Sequence, residues 1–161
     1  MITLKMLENG EIDAALIALP AKSESLQHKK LFDDEFLLAV PHSHPLSKRE
    51  VITRRNLEDE SLLLLDDGHC LRDQALDLCS QTGSLEQQDF RATSLETLRQ
   101  MVASGIGITL IPKIAKKEND GVVYIPFESS PPLRQIAMVW RKTSARKKCI
   151  DYILDVIGSV P

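Results

Sequence analysis

Two short apolar runs restrict the fold of this chain more than any other feature. Ile12-Asp13-Ala14-Ala15-Leu16-Ile17-Ala18-Leu19 is nearly continuous, and Leu62-Leu63-Leu64-Leu65 is completely so. A strand with one wet face alternates apolar and polar residues, so runs of this kind read as strands buried on both faces. Covering both faces takes helices, and helical patterns stand between the strands. The chain opens in a helix end closed by Gly10, and a second helix runs from about Leu71 to Ser80, with Gly83 beyond it. Ser94 is a good N-cap for a third helix, Leu95 to Ala103, whose apolar face is Leu95, Leu98 and Val102. Ser144 opens a last helix reaching about Ile157, with Ile150, Ile153, Leu154 and Ile157 along one side. Further strands are read at Leu26–Val40, Asp89–Thr93, Ile106–Ile111, Val122–Ile125 and Ile136–Trp140. The alternation predicts an α/β architecture with a largely parallel sheet.

The chain of 161 residues suits one domain or two small subdomains. Its three cysteines are too few, and odd in number, for a secreted disulfide scaffold. No stretch approaches the roughly 20 apolar residues of a membrane span, and the helical start is not a secretory leader. A cytoplasmic location is expected. The net charge of −3 gives no nucleic-acid footprint to the chain as a whole. A sheet of this kind normally begins with a strand, whereas this chain begins inside a helix. A fragment that has lost an N-terminal part is therefore expected.

Two of the cysteines fall in Gly68-His69-Cys70-Leu71-Arg72-Asp73-Gln74-Ala75-Leu76-Asp77-Leu78-Cys79. A helix between them would hold the sulfurs roughly 13 Å apart along its axis and on opposite faces, whereas a disulfide needs Cα atoms within about 7 Å. They are either unrelated thiols or thiols whose bonding breaks local structure. Cys70 follows His69, stands at a helix start and precedes Arg72 by two positions. All three influences favour a thiolate. Asp73 suits the first turn through the helix dipole alone, and Cys79 sits with Leu76 near the end of the apolar face. No metal site is expected, since no Cys-x-x-Cys or His-x-x-x-His spacing occurs and His42 and His44 lie in a Pro-flanked turn. Ser104-Gly105-Ile106-Gly107 follows a helix, whereas phosphate cradles precede one.

The cysteine segment, together with Phe90 to Pro112 ("FRATSLETLRQMVASGIGITLIP"), resembles the regulatory domains of LysR-type transcription regulators. The His-Cys-x-x-Arg-Asp start and the cysteine spacing are similar to those of the peroxide-sensing members. The resemblance extends from "LENGEIDAALIAL" to "IAMVWR" and the final helix. It implies a fold like that of periplasmic binding proteins, with two α/β subdomains joined by two crossover strands. Subdomain I would comprise residues 1–33 and 134–161, and subdomain II residues 34–133.

The resemblance also implies a function. Cys70 would be oxidised by hydrogen peroxide and captured by Cys79 in a reversible disulfide, with His69, Arg72, Asp73 and Arg134 around the reactive thiol. Leu95, Leu98 and Val102 would contribute to a subunit interface of a dimer or tetramer. Such an activator answers oxidative stress by binding DNA through a helix-turn-helix domain absent from this chain and by engaging RNA polymerase. A glutaredoxin- or thioredoxin-type protein would reduce it. No cofactor, no membrane association and no enzymatic turnover are implied. The alternatives are a LysR-type domain that binds a small metabolite, and a thiol peroxidase.

Overall fold

The computed structural model describes residues 2–21, 23–58, 60–66 and 70–158, and the side chains of residues 70, 78, 82, 88 and 89 lie outside that description. The elements are α1 (Ile2–Asn9), β1 (Ala14–Ala18), β2 (Leu26–Pro41), β3 (Ser61–Leu65), α2 (Cys70–Thr82), β4 (Leu85–Ala92) and α3 (Leu95–Ala103). They continue with β5 (Thr109–Pro112), β6 (Val122–Ile125), β7 (Leu133–Arg141) and α4 (Lys147–Gly158). The chain divides into two compact units, residues 1–33 with 134–161, and residues 34–133. No described helix is long and apolar enough to cross a membrane.

In the first unit the strand order is β1–β7–β2, and β1 runs antiparallel to β7 with Ala14 opposite Trp140. Side chains along a strand alternate between faces, and β7 uses both. Met138 and Trp140 pack with Ile150 and Leu154 of α4, while Val139 packs with Leu7 of α1 and with Leu26. The unit is thus a helix–sheet–helix stack. α1 stops as expected at Gly10, whose φ of +81° is free of strain only for glycine. Arg141 satisfies the helix end by donating to the carbonyls of Leu7 and Ile12. The expectation that β1 is buried on both faces fails. It is the last strand of its sheet, and Leu16 is 58% exposed.

The second unit carries the closing half of β2, which pairs antiparallel with β5 on one side and with β6 on the other. β3 and β4 pair in parallel, and β3 meets Ile108, just ahead of β5, in a further parallel bridge. The sheets are therefore mixed, not largely parallel. A single long strand feeding both units pairs antiparallel with its neighbours in the second, whereas the parallel partners of β3 are reached through helices, β4 through α2 and the Ile108 segment through α3. Here the double burial expected of an apolar run is met: Leu62, Leu63, Leu64 and Leu65 are all buried. Gly107 lies so close to β3 and β4 that a Cβ there would stand 2.8 Å from Gln87 Oε1 and 2.9 Å from Leu63 Cγ.

α3 begins where expected, with Ser94 Oγ accepting from the Thr97 amide at 3.1 Å. Its apolar face is committed to the unit's own core. Leu98 and Val102 are 2% and 0% exposed, and Leu95 packs partly buried beside them. For Leu98 and Val102 the assignment to a subunit interface is corrected accordingly, because a side chain already sealed in its own core has no surface to offer a partner; Leu95 is only partly buried. The exposed residues of this helix are Glu96, Thr97 and Gln100.

Candidate functional site

α2 is the crossover between the two parallel strands. Leu71, Ala75 and Cys79 recur every four residues and are buried in the core of the second unit. The helix is continuous from Cys70 to Thr82, so Cys70 is its first residue and not its precursor. That continuity holds the Cα atoms of Cys70 and Cys79 about 13 Å apart, roughly twice the separation a disulfide permits. Cys79 is accordingly not in a disulfide. His69 and the Cys70 side chain lie outside the described residues.

The first turn of α2 is pinned by Arg72, which is 6% exposed. Its Nη1 donates to the Leu65 carbonyl at 3.1 Å and to Glu86 Oε1 at 2.8 Å, and its Nη2 donates to Glu86 Oε2 at 3.0 Å. The fork-to-fork geometry is that of a strong charge-assisted pair. Arg91 adds a bond from Nε to Glu86 Oε1 at 3.2 Å. The register of β4 explains how Arg91 gets there. Leu62 lies opposite Glu86 and Leu64 opposite Arg91, so a bulge takes up the extra residues of β4. In regular strand, residues five apart point to opposite faces. The bulge puts Glu86 and Arg91 opposite residues of β3 that share a face. Hydrogen bonds from Arg72, first, then the charges of Arg72 and Arg91, hold the Glu86 carboxyl below its ordinary pKa against the opposing effect of burial.

At the other end of α2, burial pushes the Cys79 thiol above its ordinary pKa. A hydrogen bond with Ser84 works the other way, and the nearby Glu86 carboxylate adds to the rise. Cys79 therefore rests as a thiol at neutral pH. α2 ends at Gly83, with φ +77° and its amide bonded to the Cys79 carbonyl at 3.0 Å.

The remaining expected residues are dispersed. Asp73 is exposed on α2. Arg134 is the second residue of β7, where the chain passes back into the first unit. Cys149 is an exposed free thiol on α4. The residue that sequence reasoning missed is Glu86. It lies ahead of the expected strand at Asp89–Thr93, in a stretch (Leu85-Glu86-Gln87-Gln88-Asp89) whose single apolar residue is itself 62% exposed. No periodicity marks such a stretch as strand. It becomes one because β3 offers it a parallel partner.

Comparison with known proteins places this geometry in context. The LysR substrate binding domain matches residues 3–159. The chain is 44% identical over 157 residues to the "Hydrogen peroxide-inducible genes activator" of Pectobacterium carotovorum subsp. carotovorum, covering 96% of this chain and 52% of that protein. It is 43% identical over 157 residues to the "DNA-binding transcriptional dual regulator OxyR" of Escherichia coli (strain K12), with the same coverage of 96% and 52%. The chain thus spans about half the length of the curated relatives it matches. Among solved structures, the oxidised form of OxyR superposes with a TM-score of 0.86 at 43% identity, covering 98% of this chain and 76% of that one. The reduced form of OxyR gives a TM-score of 0.86 at 42% identity, covering 97% and 74%.

Proposed function

The chain belongs to the LysR substrate-binding-domain family, and from that premise we propose that it is the hydrogen peroxide-sensing regulatory part of a transcription activator, switched by a reversible disulfide between Cys70 and Cys79. One observation carries this reading: the two cysteines stand nine positions apart on one wound helix, with the second buried and protonated. In such a switch the Cys70 thiolate attacks peroxide, the O–O bond breaks, and Cys70 becomes a sulfenic acid. Cys79 then displaces the hydroxyl as water and closes the S–S bond, for which α2 has to unwind. Closing so short a loop supplies only about 2–3 kcal/mol in the chain-entropy model, comparable to the cost of opening one short helix. A two-state element needs this near-balance.

His69, Arg72 and Arg134 are assigned to tuning the Cys70 thiol. The disulfide form alters an oligomer whose helix-turn-helix parts hold DNA and present it to RNA polymerase, and a glutaredoxin- or thioredoxin-type dithiol restores the starting state. One peroxide is consumed per switch, so the chain acts in the cytoplasm as a sensor and not as a peroxidase. The test is the mass and thiol count before and after one equivalent of hydrogen peroxide. The expected result is loss of two thiols and two hydrogens, with Cys149 still titratable. Peroxide consumption over many turnovers per chain within seconds, given a reductant, would identify a peroxidase instead. A metabolite-dependent rise in melting temperature that survives replacement of both cysteines would identify a metabolite-binding domain.

A further inference from the structure

We propose that Glu86 is the latch of this switch: its carboxylate clamps Arg72, and with it the first turn of α2, onto the β3–β4 pair, and the disulfide state is reached only as the clamp opens. The inference rests on the reading of Cys70 and Cys79 as the switching thiols. Arg72 lies in the segment between them, so unwinding that segment carries the guanidinium away from Glu86 and from the Leu65 carbonyl, both of which belong to the strands. The pair is largely buried, with Arg72 and Glu86 side chains 7% and 14% exposed, and opening such a pair costs more than opening a surface one.

Arg91 makes the latch reversible. Its side chain is 37% exposed and bonds the same carboxylate from the solvent side. When Arg72 departs, Glu86 still faces a cation and is not stranded as a lone buried charge. The two arginines therefore act with opposite sign on the equilibrium. Arg72 stabilises the wound dithiol form through Glu86, while Arg91 lowers the cost of the unwound form. Glu86 also stands near enough to Cys79 to oppose its ionisation, so the same group that clamps the helix quiets the second thiol.

The experiment is a redox titration of the whole chain in glutathione buffers, the glutathione couple taking up the two electrons and two protons of the dithiol. The disulfide fraction is read by alkylation and mass. Glu86→Gln keeps the shape and removes the charge. It is expected to move the equilibrium about tenfold toward the disulfide, equal to a midpoint potential about 30 mV more negative. Arg91→Gln is expected to move it about threefold toward the dithiol. Arg99→Met, which breaks a buried pair with Asp120 elsewhere in the same unit, is expected to lower the melting temperature and leave the potential unmoved. An unmoved potential in Glu86→Gln, or shifts of the same sign in the Glu86 and Arg91 variants, overturns the latch and leaves the thiol switch standing. If Glu86→Gln does not fold, the sign of the Arg91→Gln shift decides alone. Failure of the unaltered chain to form the Cys70–Cys79 bond removes the functional reading underneath.

Discussion

Replacing Arg72 by alanine tests whether that residue belongs to the chemistry or to the architecture. Seen as a charge two residues from Cys70, Arg72 would matter to reactivity more than to stability. The structure adds an architectural role. Truncation deletes the hydrogen bonds to Leu65 and Glu86 and leaves the Glu86 carboxylate, 14% exposed, with Arg91 at 3.2 Å. Breaking a buried ion pair by removing one partner costs about 3–5 kcal/mol, and the surviving Arg91 contact brings the expected loss here to about 2–4 kcal/mol. Replacing both partners, Arg72→Met with Glu86→Leu, strands no charge and is expected to fall within about 1 kcal/mol of the original chain. The single tryptophan, Trp140, lies in the first unit, so its fluorescence does not report this loss. Amide exchange across the β3–α2–β4 peptides as a function of urea does. A single variant within about 0.5 kcal/mol of the original, the range of ordinary surface substitutions, or a double variant as unstable as the single one, refutes the argument.

The other predictions concern the thiols, pH and packing. Cys79→Ser is expected to stop oxidation at the sulfenic acid of Cys70, Cys70→Ser to abolish the response, and Cys149→Ser to leave both steps unchanged, as read by peptide mapping with a sulfenic-acid trap. Oxidation is expected to cost residues 70–83 their amide protection and dithiothreitol to restore it; unchanged protection in a fully oxidised sample removes the unwinding step. Glu86, with its pKa lowered from 4.5, contributes stability that is complete above that pH and is lost as pH falls through the folded value. Cys79, raised from 9.0, contributes stability that is complete below that pH and is lost as pH rises through the folded value. Unfolding midpoints of the α2 region measured across pH should fall at both ends, and Glu86→Gln should flatten the acid limb and, by removing the charge that adds to the Cys79 rise, weaken the alkaline limb slightly. Gly107→Ala, whose methyl would sit 2.8–2.9 Å from Gln87 and Leu63, is expected to cost about 1–3 kcal/mol by overpacking, and a melting temperature unchanged within error would show that β4 yields freely.

Much of this protein is determined locally and could be read directly from the residues. Gly10, Gly83 and Gly105 end helices because a left-handed residue is needed there, and all three have φ between +77° and +81°. Ser94 caps α3 with its own hydroxyl, and Ser61–Leu65 is a strand at both ends where the apolar run begins and stops. The cysteine pair and its neighbours likewise stood out, because a helix start and adjacent positive charge are written in consecutive letters. What the sequence left undecided was everything set by a partner distant in the chain. The apolar stripe of α3 reads the same whether it faces a second subunit or its own core, and packing against β3, β4 and β6 made it core. The apolar run of β1 reads like that of β3, but β1 stands at the end of its sheet and β3 lies between neighbours. Glu86 is unremarkable in its own stretch. It acquires a role because a bulge opposite Leu62–Leu64 brings Arg91 into register with it and because α2 folds back to deliver Arg72. Periodicity records which face of an element is apolar. Which surface that face meets, and which charge is sealed with which, is fixed only when the strands pair.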